Sequence, residues 1–393
     1  MPEGATLVCP IKRANAFSRS KRMQSEKLFF HVEHVGSLLR PAELHQARAD
    51  ARQGKINISA LQTVEDKCIR EAVALQEGVG LKVVTDGEFR RDWWHIDFLH
   101  GFQGVELSDS GDAYGDAKFR GTEEQPPTMM IQGKIRRPRP SMLDHFRFLK
   151  SVVSTSIPRF TMPSPAMLHG RADRASLKET YRDIDEFWAD LTEAYRAEIR
   201  DLYNEGCRYL QIDDTTIAMM ADPAVQERFR QMGDDPRKTT DIYADAVNAA
   251  LRDVPCDLTV GIHTCRGNFK STFLASGGYD FVADSVFSKL NVDTYFLEYD
   301  TERSGSFEPL RFMPKNKKVV IGLVSSKFPT MECKENLKRR IDEVARYVPF
   351  ENLAISPQCG FSSTHHGNIM TIDQQVAKLR LCVETADEIW GNV

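Results

Sequence analysis

The chain has 393 residues, is 41% hydrophobic and 27% charged, and carries a formal net charge of -4 from 52 basic and 56 acidic side chains. That is an ordinary composition for a globular protein, and the near-balance of charge excludes a global field that draws in nucleic acid or an anionic membrane. No apolar run approaches the roughly 20 residues that cross a bilayer, so a small molecule is the expected partner.

In chain order, residues 1–27 carry Lys12, Arg13, Arg19, Lys21, Arg22 and Lys27 with little apolar periodicity and read as a flexible tail. The tail lacks the apolar centre of a signal peptide, and Glu3 and Glu26 count against an organellar transit peptide. The eight cysteines are sparse for this length and form no compact disulfide framework, which points to a reducing, cytoplasmic setting. Residues 28–393 then read as one domain. Short runs with the β-rich or continuously apolar character of strands buried on both faces occur at 29–34, 81–85, 159–162, 208–212, 258–262, 294–297, 319–323 and 352–355. Between them lie amphipathic helical patterns, predicted at 177–203 with a stop at Gly206, and at 240–251, 334–347 and 373–390. The stretch 102–150 has the polar, Gly- and Pro-containing character of an insertion, a hairpin or a lid. Eight strand candidates alternating with helices predict an α/β fold of the (β/α)8 TIM-barrel type in preference to an open doubly wound sheet. No Gly-rich phosphate loop follows any strand, which weakens nucleotide-binding readings.

The polar residues fall just beyond the strand ends: His34 to Ser37, Asp86 to Glu88, Pro163 to Pro165, Asp213-Asp214, His263 to Cys265, Glu298 to Asp300, Ser325 to Lys327 and Pro357 to Cys359. In a parallel barrel these segments converge on one rim, where active sites are built. Four of these residues, His263, Cys265, Glu298 and Cys359, offer imidazole, two thiols and a carboxylate, a donor set that suits tetrahedral zinc. Two thiolates argue against magnesium or calcium. On chemistry alone the alternative is a structural histidine and unrelated buried thiols, since isolated cysteines are usually small hydrophobes. Zinc in so electron-rich a shell is a poor Lewis acid for hydrolysis, yet it lowers the pKa of an incoming thiol and keeps it nucleophilic. Glu298, the hardest ligand, is the one expected to loosen.

The motifs HVGSLLRP (34–41), VVTDGEFRR (83–91), YLQIDDT (209–215), HTCRGN (263–268), YFLEYD (295–300) and SPQCGF (356–361) together resemble the catalytic barrel of cobalamin-independent methionine synthase, especially its short, single-barrel homologues. The resemblance covers about residues 30–391. It implies zinc on His263, Cys265, Glu298 and Cys359, and a homocysteine amino-acid moiety held by Ser37, Glu88 and Asp213. That agrees with chemistry, because two carboxylates pair with an ammonium and a serine hydrogen-bonds a carboxylate; a simple turn at Ser37 and a rim salt bridge with Arg90 or Arg91 are the plainer alternatives. The implied reaction is methyl transfer from a 5-methyltetrahydrofolate-type donor. Two departures bear on the donor. The second, folate-binding barrel of the long enzymes has no counterpart here, and Lys327 stands where the family's histidine proton donor is expected. Lysine is poorly tuned for protonating a leaving nitrogen unless desolvated or beside other cations, so Lys327 is either a catalytic acid or a binder of a donor anion.

Among other residues, Asp214 is a candidate catalytic group or the cap of the next helix. Arg266 and Asn268 read mainly as loop scaffolding. Trp93 and Trp94, with His95 and Asp97, are a stacking surface for a flat donor or ordinary packing. His365 and His366 read as a solvated loop, and Cys68, Cys207, Cys256, Cys333 and Cys382 as packing. Alternatives to methionine synthesis are alkylation of another thiol by an epoxide or other non-folate electrophile, and a non-catalytic zinc- or folate-binding protein.

Overall fold

A computed structural model describes residues 27–109 and 126–391. The expected tail, apart from Lys27, lies outside the described residues. Seven parallel strands form one curled sheet: β1 (Val83–Val84), β4 (Ile157–Pro163), β5 (Tyr209–Asp214), β6 (Thr259–Thr264), β7 (Thr294–Glu298), β8 (Lys318–Val324) and β9 (Leu353–Pro357), in that order across the sheet. The two remaining strands, β2 (Gln103–Ser108) and β3 (Thr128–Arg136), pair antiparallel as a separate hairpin. Every residue of β5, β6, β7 and β9 is buried. Helices on the outside and apolar side chains on the inside leave no solvated face, which is why these runs are continuously apolar and do not alternate.

The predicted first strand at 29–34 takes another form. It makes an isolated parallel bridge between Val32 and Ile355 of β9, with Glu33 N donating to Ile355 O and Ile355 N to His31 O. On its other side His34 Nε2 lies 3.2 Å from Val83 O of β1. This segment therefore lies between the two sheet edges. Inside the curl, Val83, Tyr209, Phe296, Val320 and Ala354 form a small cluster, packed against Leu28, Phe29, Phe30 and Ile157. Above it Arg159 pairs with Glu33 at 2.7 Å, both side chains fully buried, while Tyr209 OH donates to Glu33 at 3.1 Å. A buried pair of this kind contributes little net stability, but losing one partner strands a charge.

The insertion is a hairpin, as one of its two readings had it, and β3 is pinned to neighbouring helices: Asp173 N donates to Met129 O, Ile131 N to Ser176 Oγ, and Ile135 N to Tyr181 OH. Residues 110–125 lie outside the described residues. The helix expected over 177–203 is two helices, Arg174–Thr180 and Ile184–Asn204. Apolar periodicity runs through the break, but the Asp183 side chain accepts from Asp185 N and starts a new helix there. The second helix ends as expected, with Gly206 at φ +98°. The other three helices occur as Pro236–Ala250, Lys334–Val344 and Ile372–Trp390.

Candidate active site

Parallel register sets the strand ends side by side. Asp213 is opposite both Pro163 and His263, Thr264 is opposite Asp214, and Glu298 is opposite Gly322. The C-terminal ends of parallel strands are where α/β folds bind ligands. Here they open into a cleft lined by Ser37, Glu88, Asp213, His263, Cys265 and Cys359, with Trp94 and Asp214 on its wall.

Three of the four predicted metal ligands come together. Cys359 Sγ is 3.5 Å from His263 Nε2 and 3.6 Å from Cys265 Sγ, and the three ligand atoms lie within 4.8 Å of one another, all buried. Cys265, hydrogen-bonded to Cys359, is pushed well above the ordinary thiol range, and its partner well below it, where His263 also favours the thiolate. Burial opposes charge on His263, but the Cys359 thiolate raises its pKa on balance. One buried imidazole beside a thiol–thiolate pair is a donor set for a borderline-soft cation such as zinc.

Glu298 stands outside that group of three. Its Oε2 accepts from the Arg266 backbone N–H at 2.7 Å and faces Arg266 Nη1 at 3.3 Å. Its Oε1 is 2.5 Å from Arg303 Nη2, 3.5 Å from Gln358 Nε2 and 3.9 Å from Lys327 Nζ. Burial alone would raise its pKa, yet Lys327, Arg303 and Arg266 together hold it far below the usual carboxylate range. Lys327 is 2% exposed, and its ammonium finds no hydrogen-bond partner among the described residues. It sits beside Glu298, and both lie behind the residues that line the cleft.

The predicted amino-acid-binding residues line the same cleft. Glu88 adopts φ +59°, unusual for a residue with a Cβ, with its N–H on Asp86 Oδ1 and its carboxylate accepting from Thr161 Oγ1 at 2.7 Å. A strained residue aimed into a cleft is a feature of functional sites. Asp213 accepts from Gln211 Nε2 at 2.7 Å, and burial, with Glu88 adding to it, pushes its pKa up to about 7 despite His263. Ser37 is packed so tightly against the Cys359 loop that a Cβ on Gly360 would lie 1.9 Å from its Oγ. Asp214 accepts from Ser164 Oγ, from Thr216 Oγ1 at 3.0 Å and from Ile217 N at 2.7 Å, tying the end of β5 to the start of the helix Thr216–Met219.

Arg266 also donates to Gly277 O at 2.6 Å, and Asn268 Nδ2 donates to Gly360 O at 2.7 Å, so both hold loops together. Trp93 stacks on Phe269, its ring centroid 5.7 Å away, and meets the edges of His365 and His366, which packs those two histidines into the rim. His95 is buried, and burial drops its pKa to about 3. Cys68, Cys207 and Cys382 are buried as expected. Cys256 and Cys333 are exposed, a correction to the packing reading: both lie in polar segments just before a strand or helix, where nothing covers them. Sequence reasoning assigned no role to Arg40 or Arg303. Arg40 donates to Ser362 Oγ, to Thr364 O and to the Glu88 and Arg91 carbonyls, clamping three rim loops. Its place inside HVGSLLRP was a usable signal; Arg303 had none.

Residues 30–388 match the family model for the catalytic domain of cobalamin-independent synthase. The chain belongs to that family. It is 42% identical over 373 residues to YxjH of Bacillus subtilis, a protein described as uncharacterized, covering 94% of this chain and 97% of that one. It is 26% identical over 329 residues to a methionine synthase of Saccharolobus solfataricus, covering 83% and 86%. A solved structure from Listeria monocytogenes, described as a candidate vitamin-B12-independent methionine synthase, is 33% identical and aligns with a TM-score of 0.74 over 93% of this chain and all of that one. Membership in the cobalamin-independent synthase family supports methyltransferase chemistry of the methionine-synthase type.

Proposed function

We propose that this chain is a zinc-dependent methyltransferase that moves a methyl group from a 5-methyltetrahydrofolate-type donor to the sulfur of homocysteine, giving methionine. The observation that carries the reading is the convergence of His263 Nε2, Cys265 Sγ and Cys359 Sγ within 4.8 Å, in a cleft that Ser37, Glu88 and Asp213 also line. These three ligands, with Glu298 as the fourth, fit zinc by donor type. Zinc bound there would hold an incoming thiol as a thiolate near neutral pH. Glu88 and Asp213 pair with the substrate ammonium, whose arrival favours the ionised form of Asp213, and Ser37 hydrogen-bonds the substrate carboxylate. Together they fix the amino-acid end so that the sulfur reaches the His–Cys–Cys corner, a positional gain available to any well-oriented pair of reactants. Asp214 acts by fixing the strand end beneath this pocket.

The surrounding architecture in this proposal is a closed eight-stranded barrel, with the 29–34 segment as its first strand, forming one unit over 28–393 behind a tail of 1–27. A cytoplasmic location goes with that assignment. A second reading, alkylation of a thiol by a non-folate electrophile, is favoured by one observation: the Lys327 ammonium is drawn to the Glu298 carboxylate, 3.9 Å away, in place of a histidine proton donor.

Zinc-loaded protein incubated with homocysteine and a panel of methyl donors, beside a Cys359→Ser control, tests both. Methionine formed by the parent and lost in the variant is the expected result. Methionine formation that survives Cys359→Ser sinks the zinc-thiolate reading. A cobalt-substituted sample that responds to homocysteine yet makes no methionine with any donor selects the non-folate electrophile.

A further inference from the structure

Both oxygens of Glu298 are engaged, but unequally. Oε2 is fixed from within its own neighbourhood, by the Arg266 backbone N–H and guanidinium. Oε1 is held at 2.5 Å by Arg303, with Gln358 Nε2 at 3.5 Å and Lys327 Nζ at 3.9 Å farther off. Arg303 comes from the short 3-10 turn Glu302–Ser304 that follows β7. Its position is fixed independently of Glu298: its guanidinium lies 4.4 Å from the centroid of the Phe273 ring and 3.5 Å from Asp300 Oδ1, and its backbone carbonyl accepts from Gly277 N. A preorganised guanidinium beside a carboxylate makes a strong charge-assisted hydrogen bond. Coordination of a metal through Oε1 would draw on the lone pairs that Arg303 holds.

We propose that Arg303 is a positioning residue that competes with the metal for Glu298, keeping the carboxylate easily displaced so that a substrate thiol can take its place. The inference rests on the zinc reading above and adds the element that sets how readily the fourth ligand leaves. No bond to carbon would form or break in such an exchange: Arg303 would hold the carboxylate that a bound metal gives up to the thiolate, and the thiol proton would go to solvent. Without Arg303, Glu298 binds the metal more firmly. Metal affinity rises while thiol affinity falls, two effects of opposite sign that mere structural damage would not give.

The test is chelator competition for zinc, with homocysteine titration of cobalt-loaded protein followed by absorbance, on the parent, Arg303→Met and Arg303→Lys. Arg303→Met should bind zinc roughly tenfold more tightly and need roughly tenfold more homocysteine to change the cobalt spectrum. Arg303→Lys, which keeps the charge without the fork, should fall between. In a Glu298→Gln background the Arg303 substitution should leave zinc affinity unchanged, which keeps the question open to measurement even if a single variant is less stable. Zinc affinity that is unchanged or weaker in Arg303→Met and Arg303→Lys, with the parent's thiol titration, overturns the proposal. A parent chain that binds no zinc, or binds it as well after Cys359→Ser, instead overturns the metal reading beneath it.

Discussion

Ser37 and Gly360 show how little room the residues around the cleft have. The two are 323 positions apart in the chain, yet a methyl group on Gly360 would lie 1.9 Å from Ser37 Oγ. Gly360→Ala should therefore destabilise the fold by about 1–3 kcal/mol, the usual range for overpacking, in urea unfolding. Because Cys359 is the preceding residue, the same change should also weaken zinc binding if the proposed site is right. Adding Ser37→Gly removes the colliding hydroxyl and should restore both stability and zinc affinity, while homocysteine affinity stays low. A double variant as unstable as Gly360→Ala alone would show that the strain lies elsewhere. At this scale His263, Cys265 and Cys359 were legible because they fall at the ends of β6 and β9 inside the HTCRGN and SPQCGF motifs, while their chemistry alone left buried packing open. The position of Glu298 was not, because it depends on Arg266, Arg303 and Lys327, which reach it through folding and leave no spacing to read.

Among the elements, the strands of the sheet were legible because burial on both faces writes a continuous apolar run. The 29–34 run is apolar for the same reason, but it joins β9 by a single bridge, and no pattern in the sequence distinguishes a bridged segment from a full strand. The helix over 177–203 was misread as one piece because Tyr181 and Ile184 keep the helical period across a break that Asp183 caps. Tyr181 makes use of that break: its hydroxyl accepts from Ile135 N at 2.6 Å and donates to Asp190 at 2.8 Å. Tyr181→Phe leaves both partners unsatisfied and should cost about 1–3 kcal/mol. Hydrogen exchange should then quicken along 128–136 while β5 and β6 stay protected; uniform exchange across the sheet would argue against a local pin. At the other end of the chain, Thr371 and Gln374 form a reciprocal capping box on the helix Ile372–Trp390. Thr371→Ala should lower stability by about 1 kcal/mol, read as a shift in the denaturation midpoint with unchanged slope.

For the molecule as a whole, acidification acts through histidines the fold keeps neutral. Burial, the largest influence on each, lowers the pKa values of His34, His95 and His169, His95 to about 3 from an ordinary 6.5. A depressed imidazole pKa means that the unfolded chain takes up a proton the native chain refuses. The stabilisation is complete above pH 6.5 and is lost as pH falls toward the folded value. Asp213, raised to about 7, works in the opposite sense, so the comparison must isolate one group. The stability of the parent relative to His95→Asn should fall by about 1.4 kcal/mol for each pH unit below 6.5. A difference that does not change with pH would show that His95 is protonated in the native state.

The separation of the ligands along the chain has a consequence for synthesis. Cys359 lies 94 residues beyond Cys265 and 96 beyond His263, and the segment at 31–33 waits for β9 to emerge before it finds its bridge. A ribosome that has finished His263 and Cys265 has made only part of the proposed metal site, and Ser37 has nothing yet to close against. If the site holds zinc as proposed, chains halted before residue 359 should capture it poorly, so metal loading would wait for the emergence of β9 and the loop behind it.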